Sequence, residues 1–141
     1  MTLSAETKEI VKSTRPVLEA HGLAITARLY ERLFSTYPEV EALFAGAAPG
    51  QHERLAGAIL AYADNIDNIE SLVPVVGQIA EKHVAAGVEA AQYEIVGTEL
   101  LGAMVDVLGE LDIVVIDAWS EAYTFLADIF IETEAALATT A

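Results

Sequence analysis

Apolar side chains return every three or four positions along almost the whole chain, which is the spacing of a helix face and not the alternation of a strand. Ile10, Val11, Thr14, Val17 and Leu18 form a first stripe behind Ser4, a suitable N-cap, and Gly22 marks either the end of that helix or a tight crossing. A second stripe, Leu23, Ala27, Tyr30 and Phe34, predicts a helix that stops at Tyr37-Pro38, because the residue before proline disfavours the helical basin. Pro38 opens a short turn through Leu43 and Phe44, and Ala45-Gly46-Ala47-Ala48-Pro49-Gly50 has the composition of a loop. From Gln51, the positions Leu55, Ile59, Tyr62 and Ile66 set a helix that breaks in the Asp64-Asn65 and Asp67-Asn68 cluster. Leu72, Val76, Ile79 and His83 set another, with Pro74 in its first turn and Gly87 at its end. Two long helices complete the pattern, from about Gln92 to Leu108 and from about Asp112 to Ala138, with Ile113-Val114-Val115-Ile116 read as helical despite its β-branching. The chain therefore reads as all-α.

Composition narrows this picture without changing it. The 141 residues suffice for one substantial core, so a single domain over 1–141 is expected. Hydrophobic residues make up 54% of the sequence against 9 glycines and 4 prolines, a balance that suits packed helices and not a disordered chain. Seven basic residues against 22 acidic ones give a net charge of −15, which repels phosphate backbones and anionic head groups and excludes nucleic acid as a partner. Cysteine is absent, and with it disulfides, thiolate metal sites and covalent haem attachment. No signal pattern opens the sequence and no apolar run reaches the length of a membrane span, so a cytoplasmic protein without membrane insertion is expected. Phosphate-binding loops, nucleophile elbows and zinc-protease motifs are also missing.

Against this apolar background a few polar positions stand out. His83 occupies the last turn of an apolar stripe, where it is either a hydrogen-bonded core histidine or a metal ligand. Tyr93 and Glu134 likewise interrupt apolar faces, and an imidazole that binds a metal through one nitrogen needs an acceptor for the other, which a carboxylate or a hydroxyl linked to one supplies. The alternative is that Tyr93 points its hydroxyl to water and Glu134 lies on a polar border. Gln51 and His52 are separated by about 100° around their helix, so only one of them faces the same side as Leu55, and the spacing favours Gln51. Tyr30 and Phe44 suit packing, although a buried Tyr30 hydroxyl requires a partner. His21, beside Gly22, reads as a surface residue.

Taken in order, several segments resemble bacterial globins of the flavohaemoglobin-related class, including the single-domain Vitreoscilla type. They are Pro38-Glu39-Val40 with Leu43-Phe44, Asn65-Ile66-Asp67-Asn68, Lys82-His83 with Ala86-Gly87-Val88, Tyr93-Glu94-Ile95-Val96-Gly97 with Glu99-Leu100-Leu101-Gly102-Ala103, and Asp117-Ala118-Trp119 with Ala122-Tyr123. The resemblance spans nearly the whole chain and implies a globin fold, with crossed helices around a pocket for non-covalent haem b. It implies His83 as the iron ligand, Phe44 against the porphyrin, and Tyr93 and Glu134 as hydrogen-bond partners of the imidazole. Tyr30, Gln51 and Leu55 would then form the distal ligand pocket, and Phe44, Leu55, His83 and Tyr93 would contact the cofactor. His52 departs from the proline of the Vitreoscilla type and leaves the choice between Gln51 and His52 open. The implied function is reversible oxygen binding for delivery or storage, with NO and CO as further diatomic ligands and no catalytic residues of its own. Nitric oxide dioxygenation or a peroxidase-like reaction fed by a separate reductase is the alternative, since the flavin- and nicotinamide-binding modules of flavohaemoglobins are not expected in this sequence. A haem-free helical interaction module is the remaining possibility, and self-association is left open.

Overall fold

A computed structural model describes residues 3–44, 50–109 and 111–140, without the side chains of 43, 44, 51, 52, 139 and 140. Five α-helices carry the architecture: α1 (Ala5–Thr36), α2 (Gln51–Asp64), α3 (Val73–Ala86), α4 (Ala90–Leu108) and α5 (Ile113–Thr140). Short 3-10 turns, Pro38–Phe44 and Ile69–Leu72, lead into α2 and α3. Among the described residues there is no strand, and no helix is long and apolar enough to cross a membrane.

The largest departure from the sequence reading is at Gly22, where two expected helices are one. The buried stripe Val11, Leu18, Ile25, Leu29 and Leu33 continues through it, and so does the helix, which also runs through Pro16. Gly22 instead marks a crossing with α2, since a Cβ built there would lie 3.3 Å from the Ala56 Cβ. Tertiary burial along this stripe outweighs a helix-interior glycine, which costs only about 1 kcal/mol relative to alanine. Other expected boundaries coincide with the structure. Ser4 caps α1 by accepting from the Thr7 N–H at 3.1 Å, and α1 ends before Tyr37. The Asn65 amide closes α2 on the Ala61 carbonyl, and Gly87 adopts a left-handed φ of 87° at the end of α3.

α1 packs most extensively on α4 and α2 and then on α5, while α3 packs on α5. The main core lies between the first group of helices and includes Ile25, Leu29, Tyr62, Ile66, Leu100, Met104 and Trp119. A second cluster, Val76, Ala80 and Phe130, joins α3 to α5 and meets the first through Leu72 and Leu126. Extensive packing of α2 on α3 is absent among the described residues, so these two helices are held by different neighbours.

A partly buried ion pair fastens α1 to α4. Glu99 is 7% exposed and accepts from Arg32 Nε at 3.0 Å, while Asp106 binds both Arg32 and Arg28. Arg32 lies over Gly102, where an added Cβ would run into the guanidinium. Arg32→Met is expected to destabilise the protein by about 1–3 kcal/mol in urea titration, because Glu99 loses its partner while remaining buried. Glu99→Gln should cost less than Arg32→Met, since it removes the buried charge itself. Exposed pairs such as Lys12 with Asp67 and Arg15 with Glu19 contribute little by comparison.

Candidate functional site

Local structure delivers three polar side chains from three helices to one place. α3 begins with Pro74 in its first turn and buries Val76 and Ala80 against Phe130, and His83 continues that face one turn later. Gly87 then reverses the chain, its left-handed backbone directing the Gly87 N–H to the Val84 carbonyl and the Val88 N–H to the His83 carbonyl. α4 starts at once with a capping box, Glu89 and Gln92 binding each other's main chain, so that Tyr93 stands one turn inside the new helix. From α5, Phe130 places its ring 5.7 Å from that of His83, and Glu134 follows one turn later.

The three meet through short contacts. His83 Nδ1 lies 2.9 Å from Glu134 Oε2 and 2.9 Å from the Tyr93 hydroxyl, and Tyr93 donates to the same carboxylate oxygen at 2.5 Å. Because the Tyr93 proton goes to Glu134 and an ionised carboxylate only accepts, the proton between His83 and Glu134 belongs to Nδ1. Burial, reinforced by the Glu134 carboxylate, raises the Tyr93 pKa far above that of an ordinary tyrosine and keeps the hydroxyl a donor. Glu134 is buried, its charge satisfied by these two donors.

The remaining ring nitrogen, Nε2, has no hydrogen-bond partner among the described residues, and in the neutral form of the ring with its proton on Nδ1 it carries the lone pair. The His83 side chain is 34% exposed although it continues the buried face of α3. A neutral imidazole whose Nδ1–H is given to a carboxylate and whose Nε2 is open is the donor set of an axial metal ligand. This arrangement fits a haem iron and is the test that the residues of the site meet.

The expected distal residues lie on other elements. Tyr30 is buried on α1 with its ring stacked on Phe34 at a centroid separation of 5.6 Å. Leu55 is half-buried on α2 against the main core. Gln51 and His52 are the first residues of α2, which the chain enters through Gly50 at a φ of 89°, and Phe44 closes the turn Pro38–Phe44. The side chains of Phe44, Gln51 and His52 lie outside the described residues, as does the choice between Gln51 and His52. His21 is exposed.

Tyr123 joins the site without having been singled out in the sequence. It donates to the main-chain carbonyl of Tyr93 at 2.6 Å and faces Gly97, whereas in the sequence it stood only within the Ala122-Tyr123 segment of the resemblance.

Comparison with known proteins finds that the globin family model matches residues 27–130. A globin-like protein of Aquifex aeolicus is 47% identical over 132 residues, covering 94% of this chain and 94% of that one. A flavohemoprotein of Halalkalibacterium halodurans is 47% identical over 137 residues, which are 94% of this chain and 33% of the relative. The chain thus spans about a third of the length of the flavohemoproteins it matches. Among solved structures, a bacterial globin of Campylobacter jejuni superposes with a TM-score of 0.89 at 34% identity, covering 96% of this chain and 99% of that one.

Proposed function

This chain belongs to the globin family, and we propose that it would hold non-covalent haem b through His83 and bind dioxygen reversibly. In this reading residues 1–141 act as one globin domain. The single observation that carries it is an imidazole whose Nδ1 is engaged by Glu134 and Tyr93 while its Nε2 has no hydrogen-bond partner among the described residues. When bound, the haem supplies an iron centre that takes diatomic ligands such as O2, NO and CO.

The protein's own groups then divide the work. Glu134 fixes the His83 tautomer and ring orientation and strengthens Nε2 as an electron donor. Tyr93 shares that carboxylate and restrains it, while Phe130 limits rotation of the imidazole. Tyr30, buried on α1, is the donor that would stabilise partial negative charge on the ligand, and Gln51 is the second polar residue assigned to that pocket. Leu55 would shape the pocket, and the resemblance assigns Phe44 to the porphyrin. Removal of the Tyr30 hydroxyl should weaken ligand retention by about 1–3 kcal/mol, the range for a hydrogen bond to a charged group. Stopped-flow measurement on Tyr30→Phe is therefore expected to show dioxygen leaving roughly 5- to 150-fold faster, with His52→Ala close to the parent. An unchanged rate in Tyr30→Phe removes Tyr30 from the pocket.

An imidazole ligand backed by a carboxylate would also favour oxygen activation. Nitric oxide dioxygenation or peroxidase-like turnover with a separate reductase is accordingly the second reading. Mixing the oxygenated protein with NO in the presence of a cellular reductase separates the two: a reaction that stops after one equivalent supports oxygen binding, and sustained turnover far above a free-haem control supports the enzyme.

A further inference from the structure

Tyr93 is held at both ends by the same helix. Its hydroxyl donates to Glu134 of α5, and its main-chain carbonyl accepts the Tyr123 hydroxyl at 2.6 Å from about three turns earlier on α5. The Tyr123 ring reaches that carbonyl only because α4 carries a glycine beneath it. A Cβ built at Gly97 would lie 2.6 Å from Tyr123 Cε2 and 2.8 Å from Cδ2, closer than side chains pack. Gly97 is buried and lies one turn after Tyr93, so the ring rests on the bare backbone and its hydroxyl points back along α4. Burial raises the Tyr123 pKa and keeps it a donor.

We propose that Tyr123 is a positioning residue for the His83 network: by fixing the Tyr93 main chain against α5, it determines how the Tyr93 hydroxyl meets Glu134 and His83. The role rests on the reading of His83 as the haem ligand. It follows from the geometry of the contacts it controls. The Tyr93 to Glu134 contact is at the short limit of hydrogen bonding, and both of its partners also touch His83 Nδ1. A displacement of α4 by a few tenths of an ångström therefore changes how much carboxylate charge reaches the imidazole, while leaving the fold intact.

The variant Tyr123→Phe keeps the ring on Gly97 and removes only the hydroxyl. In the haem-loaded protein it is expected to raise the reduction potential in the same direction as Tyr93→Phe, with a shift of the ferric to ferrous equilibrium of roughly 3-fold, below the roughly 10-fold expected for Glu134→Gln. The double variant Tyr93→Phe/Tyr123→Phe should show no shift beyond Tyr93→Phe alone, because the positioned hydroxyl is already gone. In the haem-free protein, 15N spectra of His83 should show the Nδ1-protonated tautomer losing population in Tyr123→Phe, a readout that packing alone does not move. Gly97→Ala, which displaces the ring, should reproduce these changes. A Tyr123→Phe protein with parental potential and tautomer, beside Tyr93→Phe and Glu134→Gln proteins that both shift, overturns the positioning role alone. Parental values in all three overturn the network reading with it.

Discussion

Replacing His83 by alanine is expected to give a folded protein that no longer holds haem at one equivalent per chain. The fold should survive because α3 is anchored by Val76 and Ala80 against Phe130, a cluster that does not depend on His83. Tyr93 and Glu134 keep their mutual hydrogen bond, so no buried carboxylate is left without a donor. What disappears is the Nε2 donor. Without it, the cofactor is left with apolar contacts alone, and added imidazole should restore part of the lost binding by occupying the vacated position. Haem titration of the purified variant, with its helical circular dichroism as the control on folding, checks this. Parental stoichiometry and an unaltered spectrum in His83→Ala would remove this residue from the role proposed for it.

The second large effect is expected at Glu134. An amide in place of the carboxylate can still accept the Nδ1–H, so Glu134→Gln preserves the geometry while removing the charge. The imidazole becomes a weaker donor and the ferric state loses its advantage. A change of roughly tenfold in the balance of the two oxidation states corresponds to a rise in reduction potential of about 59 mV for one electron. Tyr93→Phe should move the potential in the same direction by less, since Glu134 keeps its charge and loses only the hydroxyl that holds its Oε2 against His83 Nδ1. Spectroelectrochemical titration distinguishes this from simple packing, for which both variants would titrate with the parent.

The boundaries legible in the sequence were those written by local chemistry. Tyr37-Pro38, the Asp64-to-Asn68 cluster and Gly87 each stop a helix through their own backbone preferences, so no knowledge of the fold was needed. Gly22 carried the same kind of signal and was ambiguous, because a glycine at a helix end and a glycine at a helix crossing look alike until Ala56 is brought beside it. His83, Tyr93 and Glu134 were legible as polar interruptions of apolar faces, and their convergence followed from needing a common explanation. Glu99 interrupts its face in the same way, but its partner Arg32 lies 67 positions away on α1, and no spacing links the two. Tyr123 could not be read in this fashion. Its contact is with a main-chain carbonyl, which has no letter in the sequence, and with the absent side chain of Gly97.

Resonance Raman spectroscopy of the ferrous, ligand-free protein tests the central claim most directly, because it observes the bond between iron and imidazole. The account predicts one iron–histidine stretching band, shifted by 15N labelling of histidine, lowered in Glu134→Gln and absent in His83→Ala. A haem-loaded parent protein without that band, or a band that persists unchanged in His83→Ala, would contradict it.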